Sequence, residues 1–320
     1  MVRFDFFDYA SVLSGLENLY GIEENRILKL IVEAQCEENP VAEFIKKASI
    51  ELDSVDISRV MLHCKHIMTI DDDFASIKKH GLLTLDKVLT YDTPLHDFLL
   101  EHGIEVDVDK RNVYYKEKEI HLFELSEECA ECFYGGDCKH TTYFDGQPVS
   151  LTYKNMACDF REGISTFETK LYTHKSEIEV HLAGELKEVH NYSEVKFYPE
   201  ILVTLEDMIW VLFKENPHLK DDWRKRQAGE YYCLDFDVNI LDFEAITSKP
   251  ILEGYEDYYS FNKIPIYDLR EASSNFYGNV FILTRAIQVL SAESPTVYGA
   301  LCRDVRIGYE DIKISKFHVK

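Results

Sequence analysis

The sequence lacks any long uncharged apolar run. A helix that crosses a membrane needs about 18–20 consecutive apolar residues, whereas the longest runs here, Met208–Phe213 and Asn279–Leu283, are only long enough for core elements. The first residues also lack the basic, apolar and small-residue order of a secretory signal peptide. We therefore expect a cytoplasmic protein with no membrane partner.

Basic residues are few. Lys and Arg total 35 against 58 Asp and Glu, which gives a formal net charge of −23. Because affinity for phosphate backbones comes mainly from Lys and Arg, this balance excludes a strongly basic nucleic-acid binder but permits a local basic groove. Hydrophobic residues nevertheless make up 46% of the chain, including 20 Tyr and 19 Phe. That composition predicts a folded globular protein and not a disordered acidic tail.

Common nucleotide-binding signatures are also missing. The sequence has neither a Walker loop nor a G-x-G-x-x-G turn, so it indicates neither a P-loop nor a Rossmann site. The apolar periodicity predicts helices within residues 4–50 and a strand at Val60–Met68. A helix over Phe74–His80 is expected to begin after a cap at Asp73 and to end at Gly81.

The rest of the chain mixes helix-like and strand-like patterns. A helix is predicted over residues 84–102, and strand-like alternation follows at Ile104–Val108 and Val113–Tyr115. Further helices are predicted at Ile178–Leu186, Ile201–Phe213 and Val280–Leu290, and further strands at Tyr231–Val238, Ile264–Tyr267, Ala300–Ile307 and Ile312–Phe317. The pattern predicts an α+β fold in which a helical N-terminal element, residues 1–55, precedes a mixed, strand-rich core over residues 56–320.

One motif, within residues 62–83, resembles a known family. It reads LHCKHI from Leu62 to Ile67 and, after a short acidic connection, FASIKKHGLL from Phe74 to Leu83. A strand bearing His, followed by a short helix of the form S-I-x-x-x-G-L-L, resembles the first conserved block of ADP-ribosyltransferases. It is most similar to that of the DarT-type toxins, which modify nucleic acid. The resemblance implies an ADP-ribosyltransferase-like core, NAD as the substrate, and a toxin or phage-defence effector that modifies a protein or a nucleic acid.

The resemblance also implies which residues bind NAD. In that family a side chain of the first-motif strand holds a ribose hydroxyl of NAD, so His63, His66 and Ser76 are the candidates for cofactor binding. His63 is the first-motif residue by position. Because side chains alternate along a strand, His63 and His66 are expected to face opposite sides of the sheet, and only one of them can line the pocket directly.

A carboxylate near the ribose is the other requirement of the family. Departure of nicotinamide builds positive charge on the ribose, and a nearby carboxylate stabilises that charge. Tyr198 and Glu200, within the sequence FYPEIL, are the candidates for the middle motif. Glu293 is the first choice for the late catalytic Glu, and Glu310 is the second.

Cysteines are concentrated in one segment. Cys129 and Cys132 form a C-x-x-C pair, which Cys138 and His140 follow closely and Cys158 at a distance. Thiolates and imidazole are the ligands that zinc prefers. The spacing therefore predicts a structural zinc held by Cys129, Cys132, Cys138 and either His140 or Cys158. An iron–sulfur cluster and a set of free thiols are the alternatives.

Two basic spots and two other function classes remain. Arg224-Lys225-Arg226 and a C-terminal group could each contact the NAD diphosphate or a nucleic-acid backbone. The first alternative function is a non-enzymatic acidic interaction protein that is stapled by zinc and binds a basic partner. The second is a metal-dependent hydrolase or nuclease, although the sequence contains no ligand spacing such as HExxH.

Overall fold

The computed structural model confirms the predicted α+β class. It describes residues 1–122, 143–144, 147–148, 163–164, 167, 171, 178–184, 196–227, 230–248, 274–293, 296–302 and 304–318. The helices of these residues are α1 (Tyr9–Tyr20), α2 (Glu24–Ala34), α3 (Pro40–Ala48), α4 (Ala75–His80), α5 (Leu85–Val88), α6 (Pro94–Glu101), α7 (Ile201–Phe213), α8 (Leu219–Gln227) and α9 (Ser274–Leu290). The strands are β1 (Val2–Phe4), β2 (Val60–Met68), β3 (Ile104–Asp107), β4 (Asn112–Tyr115), β5 (Lys118–His121), β6 (Tyr143–Phe144), β7 (Gln147–Pro148), β8 (Glu179–Ala183), β9 (Glu230–Asn239), β10 (Phe243–Ser248), β11 (Val297–Leu301) and β12 (Lys313–His318).

Strand β2 lies inside a seven-stranded sheet, in which six strands follow the order β10-β11-β8-β2-β9-β12 and the seventh, β1, pairs with β2 outside this order. It pairs antiparallel with β9, which places His63 opposite Asp237 and Lys65 opposite Asp235. Strand β1 runs parallel to the first half of β2, and β8 meets the second half. Strands β3–β5 form a separate antiparallel sheet. Two flanking elements thus share one edge of β2, and this brings the N-terminal segment next to the motif strand.

Two hydrophobic cores hold these layers. The first packs α1–α3 and α9 on the seven-stranded sheet, with Phe4, Leu62 and Ile282 fully buried. The second joins α6, the β3–β5 sheet, α7 and α8 around Phe98 and Trp223. Among the described helices, none combines the length and the apolar character that crossing a bilayer requires.

The motif helix α4 begins differently from the sequence prediction. The N-cap residue is Phe74 and not Asp73, and no side chain caps the helix from that position. The Asp72 carboxylate accepts a hydrogen bond from the Ser76 backbone N–H at 2.8 Å. Asp73 and Phe74 both adopt positive φ values, 51° and 63°, so neither belongs to the helix. The helix ends as predicted at Gly81, whose φ is 76°.

Three other predictions of local structure are wrong. Residues 84–102 form two helices, since Pro94 begins α6 and holds Thr93 in the extended conformation of its N-cap. The segment predicted as a helix at Ile178–Leu186 contains strand β8, which is buried and flanked by β2 and β11. The strand predicted at Ala300–Ile307 ends at Leu301. The strand predicted at Ile264–Tyr267 lies outside the described residues.

Candidate functional site

A mostly apolar cavity of about 290 Å³ lies where the two cores meet. Its walls come from the end of β2 and the residues after it, from α4, from β8 and from the start of α7. Its volume is near the lower end of the range for ligand pockets, roughly 300–1,000 Å³. The polar residues that line it include His66, Thr69, Ser76, Glu179, His181, Glu200 and Tyr298. We call this space the junction cavity.

His66 presents a fixed hydrogen-bonding pattern in the junction cavity. Its Nδ1 lies 2.8 Å from the backbone carbonyl oxygen of Glu179. Because a carbonyl can only accept, Nδ1 must carry the proton. Burial lowers the pKa of His66 below its ordinary 6.5, against the raising effect of the contact with Glu179, so the ring is neutral at pH 7. Nε2 is then a hydrogen-bond acceptor available to a ligand.

Ser76 and Glu200 reach the same cavity from two other segments. Ser76 is buried in the first turn of α4, where its backbone N–H donates a hydrogen bond to the Asp72 carboxylate. Glu200 is exposed and immediately precedes α7, next to Pro199, which also lines the cavity. The cavity therefore combines an imidazole acceptor, a hydroxyl and a carboxylate within apolar walls. Such a set can orient a hydroxyl-bearing ligand and stabilise positive charge on it.

His63 lies on the opposite face of the sheet from His66, which confirms the alternation expected along β2. It is buried, with Nδ1 at 2.9 Å from an Asp237 carboxylate oxygen and Nε2 at 3.2 Å from one of Asp235. His66, and not His63, is therefore the motif histidine that lines the junction cavity.

The surroundings of His63 form a second, charged cleft of about 400 Å³. Lys65 forms an ion pair with Asp235, and Arg3 contacts both carboxylate oxygens of Asp237 at 3.0 and 2.9 Å. Burial alone would raise the pKa of Asp235, but hydrogen bonds from His63 and Lys65 hold it below the ordinary 3.8. These opposite charges compensate one another across β1, β2 and β9.

The remaining predicted catalytic residues are not among those that line the junction cavity. Tyr198 is buried in the second core, although its neighbours Pro199 and Glu200 line the cavity. Glu293 follows α9 and lines neither cavity; desolvation raises its pKa above the ordinary 4.5, and the positive charge of Arg285 opposes this shift. Glu310 lies in a short turn before β12. The fold thus brings together His66, Ser76 and Glu200, and it leaves Tyr198 and Glu293 apart from them.

The proposed zinc ligands, Cys129, Cys132, Cys138, His140 and Cys158, all lie outside the described residues. Within the part of the chain that is described, no group of three or more His, Cys, Asp or Glu side chains is arranged to hold a metal ion. The thiols of Cys64 and Cys233 are buried, and burial raises the pKa of Cys233 to about 12. These two thiols are core groups.

Sequence reasoning missed three residues of the junction cavity, Thr69, His181 and Tyr298. Trp223 donates a hydrogen bond from its indole Nε1 to the Thr69 hydroxyl at 2.9 Å, and both side chains are buried. The rings of His181 and Tyr298 lie 5.0 Å apart. The alternation of Val180 and Leu182 with polar neighbours was the available signal for a strand, and it would have placed His181 in the sheet.

Comparison with protein-family models, with curated proteins and with solved structures finds no match to this chain.

Proposed function

We propose that the chain is an NAD-dependent ADP-ribosyltransferase and that NAD binds in the junction cavity. One observation carries the proposal. His66, Ser76 and Glu200, which the motif resemblance and the middle-motif prediction singled out, come from three separate segments and line one cavity. Residues 62–83 supply two of the three, and the start of α7 supplies the third.

In this proposal His66 orients the ribose that carries the nicotinamide. Its Nδ1–H is held by the Glu179 carbonyl, so Nε2 is left to accept a hydrogen bond from a ribose hydroxyl. The Ser76 hydroxyl adds a second polar contact. The apolar walls, with the aromatic rings of Trp223 and Tyr298, suit the nicotinamide ring.

Glu200 takes the role of the carboxylate near the reacting bond. The bond between C1′ of the ribose and the nicotinamide nitrogen breaks, and its electron pair leaves with nicotinamide, which becomes neutral. Positive charge then develops on the ribose, where a carboxylate stabilises it. A nucleophile of the acceptor forms the new bond to C1′ and releases its proton to solvent. Glu200 replaces Glu293 in this role because it is the one of the two that lines the cavity.

The acceptor belongs to the proposal as a class. Either a protein or a nucleic acid can supply a nucleophile, and the resemblance to toxins and phage-defence effectors makes both reasonable. The net charge of −23 favours a protein acceptor over a polyanion.

The test is calorimetric titration of the purified chain with NAD, followed by an assay of nicotinamide release in the same sample. We expect His66→Ala to weaken NAD binding by about tenfold, as the loss of one hydrogen bond does. Glu200→Gln should slow nicotinamide release by about a hundredfold and leave NAD affinity nearly unchanged. The matched controls are His121→Ala and Glu105→Gln, which change exposed residues that line neither cavity.

The outcomes separate the parts of this proposal. If His66→Ala binds NAD more weakly and the control variants do not, the result supports the NAD site. If Glu200→Gln releases nicotinamide more slowly, the result supports the role of the carboxylate in breaking the bond to nicotinamide. If the unaltered chain neither binds NAD nor releases nicotinamide, the proposed function is wrong. If the control variants lose as much NAD affinity and nicotinamide release as the site variants do, the junction cavity is not the NAD site.

A further inference from the structure

Arg224, the first residue of the basic run in α8, is held against two aromatic rings. The centre of its guanidinium lies 4.5 Å from the ring centroid of Phe197 and 5.0 Å from that of Tyr198. Both distances are within the range of cation–π contacts. Tyr198 is itself buried in the second core, so this support is rigid. The guanidinium therefore has a fixed position although Arg224 is exposed.

The other two basic residues of the run are neutralised. Lys225 pairs with Asp222 at 2.7 Å, and Arg226 pairs with Asp71 at 2.7 Å and with Glu101 at 3.0 Å. Among the residues that the structure describes, no carboxylate lies within 4 Å of the Arg224 guanidinium. Its charge is supported by ring faces instead, and these leave the N–H edge of the guanidinium plane able to donate.

Arg224 is placed beside the junction cavity by its neighbours on both sides. Trp223, which precedes it in α8, lines the cavity. Pro199 and Glu200, which follow the two supporting aromatic residues, line the cavity as well. The aromatic pair and the arginine thus belong to the two chain segments that form one end of the cavity wall.

We propose that Arg224 binds the diphosphate of the dinucleotide whose ribose and nicotinamide occupy the junction cavity. The inference rests on the proposed function and extends it, because it names the residue that selects a phosphate-bearing ligand. A planar guanidinium donates two parallel hydrogen bonds to phosphate oxygens. Its fixed position lowers the entropy that is lost when the ligand binds. A local cation of this kind is needed because the chain as a whole repels anions.

The test compares two ligands that differ in phosphate, NAD and nicotinamide riboside, on three proteins. These are the unaltered chain, Arg224→Gln and Lys225→Gln, which removes the same charge from the neighbouring paired residue. We expect Arg224→Gln to weaken NAD binding by about tenfold to a hundredfold. It should leave the affinity for nicotinamide riboside within about twofold. Lys225→Gln should leave the affinity for both ligands near that of the unaltered chain. A thermal melt of each variant establishes that it is folded.

Salt dependence supplies a second readout on NAD alone. Rising salt should lower the NAD affinity of the unaltered chain relative to that of Arg224→Gln, because the screened contact is missing in the variant while the screened repulsion by the rest of the chain is common to both. Equal loss of both ligands in Arg224→Gln would show that Arg224 only supports the cavity wall, and this would overturn the inference. NAD binding by Arg224→Gln with unaltered affinity and salt dependence would overturn it while leaving the proposed function intact. Failure of the unaltered chain to bind NAD would overturn both.

Discussion

Trp223 and Thr69 are joined by a buried hydrogen bond of 2.9 Å from the indole Nε1 to the threonine hydroxyl. The bond connects α8, in the second core, to the residue that follows β2 in the central sheet. Both side chains also line the junction cavity. The contact therefore helps to hold together the two halves of the fold at the place where we propose that NAD binds.

Replacing Thr69 with Val tests this bond. The change keeps the shape of the side chain but removes the acceptor, so a buried indole N–H loses its partner. We expect the free energy of unfolding to fall by about 1–3 kcal/mol, measured by urea denaturation. Thr69→Ser keeps the hydroxyl and should retain more stability than Thr69→Val. The opposite order would mean that the methyl group, and not the hydrogen bond, is the stabilising part.

Local patterns determined part of this fold from the sequence. Strand β2 and helix α7 have the predicted bounds, because each has a strong periodicity and a clear boundary signal. The sequence prediction made the segment of strand β8 a helix, although Glu179 and His181 alternate with Val180 and Leu182 as in a strand; an alternation this short gives only a weak signal.

The candidate site was predictable to a smaller extent. Alternation along β2 required that His63 and His66 face opposite sides, but the sequence does not state on which face of the sheet the junction cavity lies. That choice depends on long-range packing between segments more than 100 residues apart, such as the contact of His66 with Glu179. The same limit applies to the carboxylate, because no local pattern distinguishes Glu200 from Glu293.

The lowered pKa of His66 predicts a pH dependence of stability. Its folded pKa is below the ordinary 6.5, so the unfolded chain binds more protons than the folded chain does. Stability should therefore decrease as pH falls below about 6.5 and through the folded pKa. His66→Phe removes this titration and should flatten the dependence of the unfolding free energy on pH below about 6.5.

The comparison requires a histidine variant that does not alter the junction cavity. His121→Phe is the control variant, because His121 is exposed on β5 and does not line the junction cavity. Denaturant midpoints measured at several pH values give the slopes. Equal slopes for the His66 variant and the unaltered chain would contradict the assignment of a neutral, half-buried His66.

Lys65 and Asp235 make a nearly buried ion pair, with both side chains only 13% exposed. Lys65→Met should leave the Asp235 carboxylate with less compensation and lower the free energy of unfolding by about 3 kcal/mol at pH 7. The loss of unfolding free energy in the double variant, Lys65→Met with Asp235→Leu, should be smaller than the sum of the losses in the two single variants by about 1 kcal/mol or more. Lys29→Met is the matched control, because Lys29 pairs with Glu33 at the surface, where such a pair contributes little. Strict additivity in the cycle would show that the two charges do not stabilise each other.

Gly81, which ends the motif helix and lines the junction cavity, is expected to tolerate no side chain. Its φ of 76° and ψ of −169° lie in a region that essentially only glycine adopts. A Cβ at this position would also lie 2.5 Å from the backbone oxygen of Ile307, which accepts a hydrogen bond from Leu82.

Gly21→Ala provides the control, since Gly21 has a similar φ of 68° and nothing within 4 Å of the added Cβ. Gly81→Ala should therefore cost at least about 2 kcal/mol more than Gly21→Ala in urea denaturation, because backbone strain is joined by a clash with rigid backbone. It should also weaken NAD binding, because relief of the clash requires Leu82 and the end of α4 to move away from Ile307 and so to reshape the cavity wall. Equal costs for the two substitutions would mean that the contact between Gly81 and Ile307 is not tight in the folded protein.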